Sequence, residues 1–479
     1  MTDPDLLFPP DPHTREVARI LFAHAKDLPI ISPHGHVDPW LLADDRAFGD
    51  PAQLLIVPDH YVTRLLYSQG VDMDALGVTR RDGAPVQTDG RAIWRLLAEH
   101  WSVFRATPSR LWLELTLAEV FDIHTPLSVG TADAIYDALA ERLAADAFRP
   151  RALFERFGIE VLATTESATD DLAAHAKLAA DGWSGRVVTT FRPDDVVDPE
   201  WEGWGTRLDR LGEMTGEDTL TYRGYLAAVQ ARRDAFRAAG ARSTDHGHPT
   251  ARTLELDHAE ASRLYARLRR APNPEDAETF RAHMLFEFAR MSTEDGLVMQ
   301  LHPGAVRNHN EHLHRVYGRD VGGDIPQAGE YTHALRPVLD RFGHDRRLRL
   351  VLYTLDETTF SRELAPLAGG YPSVFLGAPW WFLDSPDGLR RFREAATDTA
   401  GFANTAGFVD DTRAFCSIPV RHQVARRVDA AYLARLVVEG RLGLDDAAET
   451  IADLAYHLPR RTFATLAERN QASSVRLED

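Results

Sequence analysis

Short apolar runs rich in β-branched residues punctuate the sequence at residues 29–33, 159–165, 185–191, 241–244, 297–301, 348–354, 373–376 and 405–409. Stretches with helical periodicity lie between them, and a run of this length bounded by turn residues reads as a buried strand. The run at 241–244 carries the weakest pattern. Strands alternating with helices build parallel βαβ units, and a closed eight-stranded α/β barrel accounts for eight such runs better than an open sheet does. The residues in which the runs end, or that follow them closely, narrow the choice further. They are His34-Gly35-His36, Thr165-Glu166, Arg192-Pro193, Asp245-His246, His302-Pro303, Thr354, Pro379-Trp380-Trp381 and Asp410-Asp411-Thr412-Arg413. Nearly every run therefore delivers a polar or aromatic side chain at its C-terminal end. In a barrel those ends share one face, where active sites are built, and strands serving only as core would not need the pattern.

The gap between the first two runs is far longer than one crossover helix needs. Within it, residues 91–104, 111–121 and 132–148 are amphipathic at helical spacing. The chain therefore reads as a single barrel domain over residues 1–479, with residues 75–150 as a helical insertion that covers the barrel mouth. Further helices are expected at 222–239, near 257–268, and at 430–439 and 444–458. No apolar stretch approaches the length of a membrane span. The start, Met1-Thr2-Asp3-Pro4-Asp5, is acidic and has neither the basic nor the apolar region of a signal peptide. A cytoplasmic setting is expected. A net charge of −18 argues against nucleic acid as a partner, yet a few inward-pointing arginines can still hold a small anion. A homo-oligomer is left open.

Cys416 is the only cysteine, so any metal must be held mainly by imidazole and carboxylate. His34 and His36 stand two apart at a strand end and so point to one face, with no side-chain bulk at Gly35 between them. Twenty histidines make a chance His-x-His match easy; the strand-end context, with a carboxylate at the distant end of the last run, favours a metal site here. Asp411 can complete a His-His-Asp set and can also take a proton, while its neighbour Asp410 points to the other face. A rival pair in Asp245-His246-Gly247-His248 follows a weaker strand; Asp245 or His246 is expected to face the mouth, with His248 incidental. His309, His312 and His314 read as solvated surface. Arg192 and Arg413 arrive at strand ends and are natural forks for a carboxylate, although Arg413 could instead serve only to pair with Asp411. His60, Tyr61 and His302 are candidate acids or bases, and Trp380 and Trp381 could wall a sugar-sized pocket. There is no G-x-S-x-G, Walker loop, strand-associated G-x-G-x-x-G or H-E-x-x-H. No strand ends in a lysine that could bridge two metals, so one metal is the better fit.

At this level of detail the chain resembles the uronate isomerase (glucuronate isomerase) family of the amidohydrolase superfamily. The similar segments run in order along nearly the whole chain. They begin with Ala25-Lys26-Asp27-Leu28-Pro29-Ile30 leading into His34-Gly35-His36, then Asp59-His60-Tyr61, Ala163-Thr164-Thr165, Phe191-Arg192-Pro193-Asp194 and Ser243-Thr244-Asp245-His246. They continue through Gln300-Leu301-His302-Pro303-Gly304-Ala305-Val306-Arg307-Asn308, Asp320-Val321-Gly322, Trp380-Trp381-Phe382 and Asp411-Thr412-Arg413-Ala414-Phe415. The resemblance implies a distorted TIM (β/α)8 barrel with one divalent metal, usually zinc, on His34, His36 and Asp411. It implies aldose–ketose isomerisation of D-glucuronate to D-fructuronate and of D-galacturonate to D-tagaturonate through a cis-enediol, with His60, Tyr61, Arg192, His302 and Arg413 at the pocket positions. Which of Asp411, His60 and Tyr61 is the base is left open. Two segments depart from the family's habit: His34-Gly35-His36 where His-Cys-His is common, and Thr164-Thr165-Glu166-Ser167-Ala168 where Thr-Thr-Asp-Asp-Pro is common. The second is expected to alter the rim of the second strand. The alternatives are another metal-dependent hydrolase or decarboxylase of the superfamily, or a non-catalytic barrel.

Overall fold

The computed structural model describes residues 3–466, 468 and 469; Met1 and Thr2 of the acidic start, and residues 467 and 470–479, lie outside the described residues. The strands are β1 (Ile30–Ser32), β2 (Ile159–Ser167), β3 (Val187–Arg192), β4 (Ser243–His246), β5 (Val298–Leu301), β6 (Ala305–Val306), β7 (Ile325–Pro326), β8 (Leu350–Leu352) and β9 (Val374–Leu376). Seven of them form one sheet in the order β1-β2-β3-β4-β5-β8-β9, while β6 and β7 make a separate pair. Every pairing within the large sheet is parallel. The fold is α/β, a distorted (β/α) barrel.

The distortion sits where an eighth strand was expected, at residues 405–409. That run makes one parallel bridge, Thr405 to Leu376, and then leaves the sheet. Gly407 explains the departure. Its φ of +82° is incompatible with extended backbone, and a Cβ there would come within 2.4 Å of Pro459. The ring is instead drawn shut by a single bond from His36 N to Thr412 O at 3.0 Å. That bond ties the end of the last run to the end of the first. The weakly patterned run at 241–244 is a strand, shifted by two residues to Ser243–His246.

Among the helices, Tyr222–Ala238 and His258–Arg270 lie within a few residues of their expected spans. The helix over the 430–439 segment is much longer than expected, running from Ile418 to Val438. It is buried on several sides, Arg421, His422, Arg426, Arg427 and Asp429 included, so no single apolar stripe marks its first half. The helix Pro274–Asp295 lacks a clear stripe for the same reason, although Asn273 as N-cap, Pro274 in the first turn and Gly296 as the left-handed C-cap are its signals.

Between β1 and β2 lie the helices Pro39–Asp44, Pro51–Leu55, His60–Tyr67, Gly90–Glu99, Pro108–Leu115, Ala132–Leu143 and Pro150–Arg156. They share an apolar cluster built on Leu66, Trp94, Leu97, Phe104, Phe121 and Leu139. Past His36, the only residues of this region that border the large cavity beside the strand ends are Pro58 to Tyr61. Residues 75–150 stand behind that wall and supply none of its lining.

Candidate active site

β1 is fully buried and ends two residues before His34. His34 and His36 bring their Nε2 atoms to 3.4 and 3.1 Å from the same Asp411 oxygen, Oδ1. Asp411 reaches this place on a left-handed backbone, φ +40°, which aspartate tolerates better than most residues. Burial pushes its carboxyl up, but the two imidazoles outweigh burial and hold it well below the usual carboxylate range. The ligand atoms of His34, His36 and Asp411 all lie within 4.8 Å of one another, and Asp411 Oδ1 is buried without a hydrogen-bond donor. Two imidazoles and a carboxylate around an unsatisfied buried oxygen suit a zinc-like divalent ion. A second triplet, His34, Asp245 and His302, is equally compact. It suits an ion poorly, because the His34 and His302 rings are stacked at 4.6 Å, which keeps their in-plane lone pairs from converging. Arg192 also already occupies Asp245. Asp410 turns away and meets His422 Nε2 at 3.1 Å.

The second wall comes from β3, β4 and β5. Arg192 Nε donates to Asp194 Oδ2 at 2.9 Å, and its Nη1 lies 3.2 Å from Asp245 Oδ2. Gly247 N also donates to Asp194, at 3.1 Å; a Cβ on Gly247 would meet Arg192 Nη2 at 2.6 Å. His302 is stacked on Tyr353 at 3.9 Å and meets Trp380 edge-on at 4.7 Å. Its Nδ1 is 2.8 Å from Asp245 Oδ1, and its buried Nε2 has no hydrogen-bond partner. Burial holds the His302 imidazole below its usual pKa despite Asp245, so it is neutral near pH 7. Behind this wall Tyr353 donates to Gln300 Oε1 at 3.0 Å, and Gln300 Nε2 reaches His34 Nδ1 at 3.5 Å.

The third wall joins the helix His60–Tyr67 to the last strand ends. The Asp59 side chain caps that helix by accepting from Tyr61 N at 2.9 Å, which aims the first turn at the barrel. His60 stacks on Tyr61 at 5.0 Å and lies 5.7 Å from Trp381. Burial, reinforced by the Arg413 charge, pushes the His60 imidazole down to about 3, so it too is neutral at working pH. Arg413 lies 3.7 Å from Asp320, not in a pair with Asp411.

His34, His36, His60, Tyr61, Arg192, His302, Trp380, Trp381, Asp411 and Arg413 all line one cavity of about 750 Å³, a size ordinary for small-molecule sites. Four of its non-glycine lining residues, Asn308, Asp320, Trp381 and Asp411, have positive φ, and backbone strain of this kind gathers at functional sites. His248 also lines the cavity, whereas His246 is buried behind it against Phe288. His309 and His312 are exposed. The Glu166 departure does not reach the rim. Only Thr165 of that segment faces the cavity, while Glu166 is buried and bonded to Thr189. Arg307, Arg319, Asp320, Asp384 and Arg421, at or behind the walls, carry no individual signal in the sequence. Arg307 and Asp320 lie in family-like segments, but nothing local marks Arg421.

The glucuronate isomerase family matches residues 13–463. The chain belongs to the glucuronate isomerase family. It is 59% identical over 461 residues to a uronate isomerase of Rhizorhabdus wittichii, covering 96% of this chain and 98% of that one. The solved glucuronate isomerase of Caulobacter crescentus superposes with a TM-score of 0.95 at 53% identity, covering 97% of each chain. The uronate isomerase of Thermotoga maritima gives 0.90 at 28% identity, over 97% of this chain and 100% of that one. At these identities the chain is an isomerase of the same kind, with the amidohydrolase-like barrel of its relatives. No helix among the described residues is long and apolar enough to cross a membrane.

Proposed function

We propose that this isomerase interconverts D-glucuronate with D-fructuronate, and D-galacturonate with D-tagaturonate, by proton transfer through a cis-enediol in the cavity bounded by His34, Arg192 and Asp411. The observation that carries the reading is a His-His-Asp set facing Arg192, at the end of β3, and Arg413, two residues past Asp411, in one cavity of a chain whose relatives are uronate isomerases. Arg192 and Arg413 are the forks for the substrate carboxylate and its neighbouring hydroxyls. His302, with Nε2 unpartnered, is placed to bond a sugar oxygen, and Trp380 and Trp381 limit where the carbon skeleton can lie. His34, His36 and Asp411 would hold one divalent ion, zinc by the borderline character of two imidazoles beside one carboxylate, which when bound polarises a substrate oxygen. Asp411, His60 and Tyr61 hold and move the protons. Neutral His60 can accept a proton or share a hydrogen bond, and Asp411 is ionised and can accept one. The fixed dipoles and charges do the rest, since an enediol develops negative charge on oxygen. We read residues 1–479 as one domain with residues 75–150 inserted in it.

The test is purified, metal-replete enzyme assayed against D-glucuronate, D-galacturonate and a panel of small acid amides. Isomerisation of a uronate with no amide hydrolysis is expected. Hydrolysis without isomerisation would overturn the assignment.

A further inference from the structure

Turning an aldose into a ketose relocates two protons, and each needs a carrier. One leaves C2 and arrives at C1; the other leaves the C2 hydroxyl and arrives on the C1 oxygen. Tyr61 lines the cavity, but as a lone carrier it is poorly suited. Burial and the nearby Asp384 charge hold its hydroxyl well above the usual pKa of a phenol, so it cannot wait as phenolate.

Its hydroxyl is not alone. Tyr61 OH donates to Asp384 Oδ2 at 3.1 Å, and the same oxygen accepts from Arg421 Nη1 at 3.0 Å. Asp384 is itself buried and lies behind Tyr61, outside the cavity lining. Arg421 is buried too, with its guanidinium 3.7 Å over the Trp112 ring, its Nε bonded to Ser417 at 3.3 Å and Nη1 also reaching Asp410 O at 3.4 Å. A guanidinium clamped on so many sides fixes the carboxylate, and the carboxylate fixes the direction of the Tyr61 O–H bond. With that bond pointing back to Asp384, the Tyr61 oxygen presents its lone pairs to the cavity.

We propose that Asp384, acting through Tyr61, is the proton-holding partner for the hydroxyl-to-hydroxyl half of the isomerisation, with Arg421 keeping it in place. The step balances without any co-reactant. The substrate O–H breaks as a new Tyr61 O–H forms, while the original Tyr61 O–H breaks and an Asp384 Oδ2–H forms. The reverse movement returns the proton to the other substrate oxygen, and Tyr61 never carries a full charge. The groups facing Asp384 are Tyr61 from its helix, Arg421 from the helix Ile418–Val438, and Asp411 through its charge. Burial outweighs Arg421 and brings the Asp384 carboxyl to about 6, close to the working pH that suits a proton carrier. Asp384 touches no substrate in this scheme and is a positioning residue.

The inference rests on the isomerase assignment. It is tested on metal-loaded enzyme by a double-mutant cycle of Tyr61→Phe and Asp384→Asn, with kcat and KM followed from pH 5 to 8. Each single variant is expected to lower kcat about a hundredfold with KM little changed, and the double variant to be no worse than either. Wild type should lose kcat as pH falls through about 6, and both single variants should lack that acid limb. Asp384→Glu should recover part of the rate. Losses that multiply in the double variant, or an Asp384→Asn enzyme with wild-type kcat, would overturn the proposal. If Asp384→Asn does not fold, the acid limb in Tyr61→Phe decides, because its persistence has the same force. A wild-type enzyme inactive on every uronate would instead sink the isomerase assignment itself.

Discussion

Replacing Asp411 by asparagine separates charge from shape at the metal-ligand set. The residue sits at φ +40°, a region asparagine enters about as readily as aspartate, so the backbone strain is unchanged. Alanine there would add a backbone penalty and blur the result. What the substitution removes is the one anionic donor between two imidazoles 3.1 and 3.4 Å away. Deleting one member of a buried, interacting charge set costs about 3–5 kcal/mol, which is roughly two to four powers of ten in affinity for the cation. An enzyme that holds its ion at nanomolar levels would then hold it only at about 0.1 to 10 micromolar. After gel filtration in metal-free buffer, metal analysis should find it largely empty. Turnover of D-glucuronate should fall to background, since Asp411 is also a proposed proton acceptor, and added divalent ion should restore occupancy but not rate. Near-normal isomerisation by the asparagine variant, or full metal occupancy through gel filtration, would show that this carboxylate is not part of the site.

Gly247→Ala should act at a distance from the reacting carbons. Its Cβ would fall 2.6 Å from Arg192 Nη2 and 2.8 Å from Asp194 Oδ2, so the fork must move, and losing a charge-assisted bond to substrate raises KM about ten- to a hundredfold; an unchanged KM would exclude Arg192 from the carboxylate site. Glu166→Gln tests the buried carboxyl behind β2. Burial raises it from 4.5 to about 7, so the folded state binds the extra proton between those values. Native stability therefore declines by about 3 kcal/mol as pH rises through that window. The glutamine variant should lack this decline in urea titrations across pH 4.5 to 7.5, and parallel wild-type and variant curves would contradict it. A chelator should lower both activity and apparent melting temperature, and a divalent ion should restore both, because a ligand bound only to the folded state stabilises it.

The parts of this molecule that can be read from sequence are those where one element carries its own signal. Alternating apolar runs announce strands because burial on both faces leaves a continuous hydrophobic stretch, and His34 and His36 announce a shared direction because side chains two apart on a strand must share one. The eighth run misleads for a local reason: its composition fits a strand, but Gly407 turns the chain at φ +82°, and no apolar pattern encodes that dihedral. The first half of the helix over Ile418–Val438 is hidden because burial on several sides erases the amphipathic stripe by which helices are recognised. The same burial hides Arg421, which looks like an ordinary helix-surface cation until its neighbours are known. Asp384 is hidden differently, since it meets Tyr61 across 323 residues of chain, and neither residue's flanking sequence records the meeting. Asp411 follows a run whose composition reads as a strand, so the sequence points to it even though Gly407 takes the backbone off the sheet just before it. A carboxylate at the end of a single helical turn declares nothing, and only packing decides whether it faces water or a phenol. Side chains that follow a strand-like run are thus the legible part of such a site, and the groups that orient them, Asp384 after a single helical turn and Arg421 on a helix buried on several sides, are the part that needs a structure.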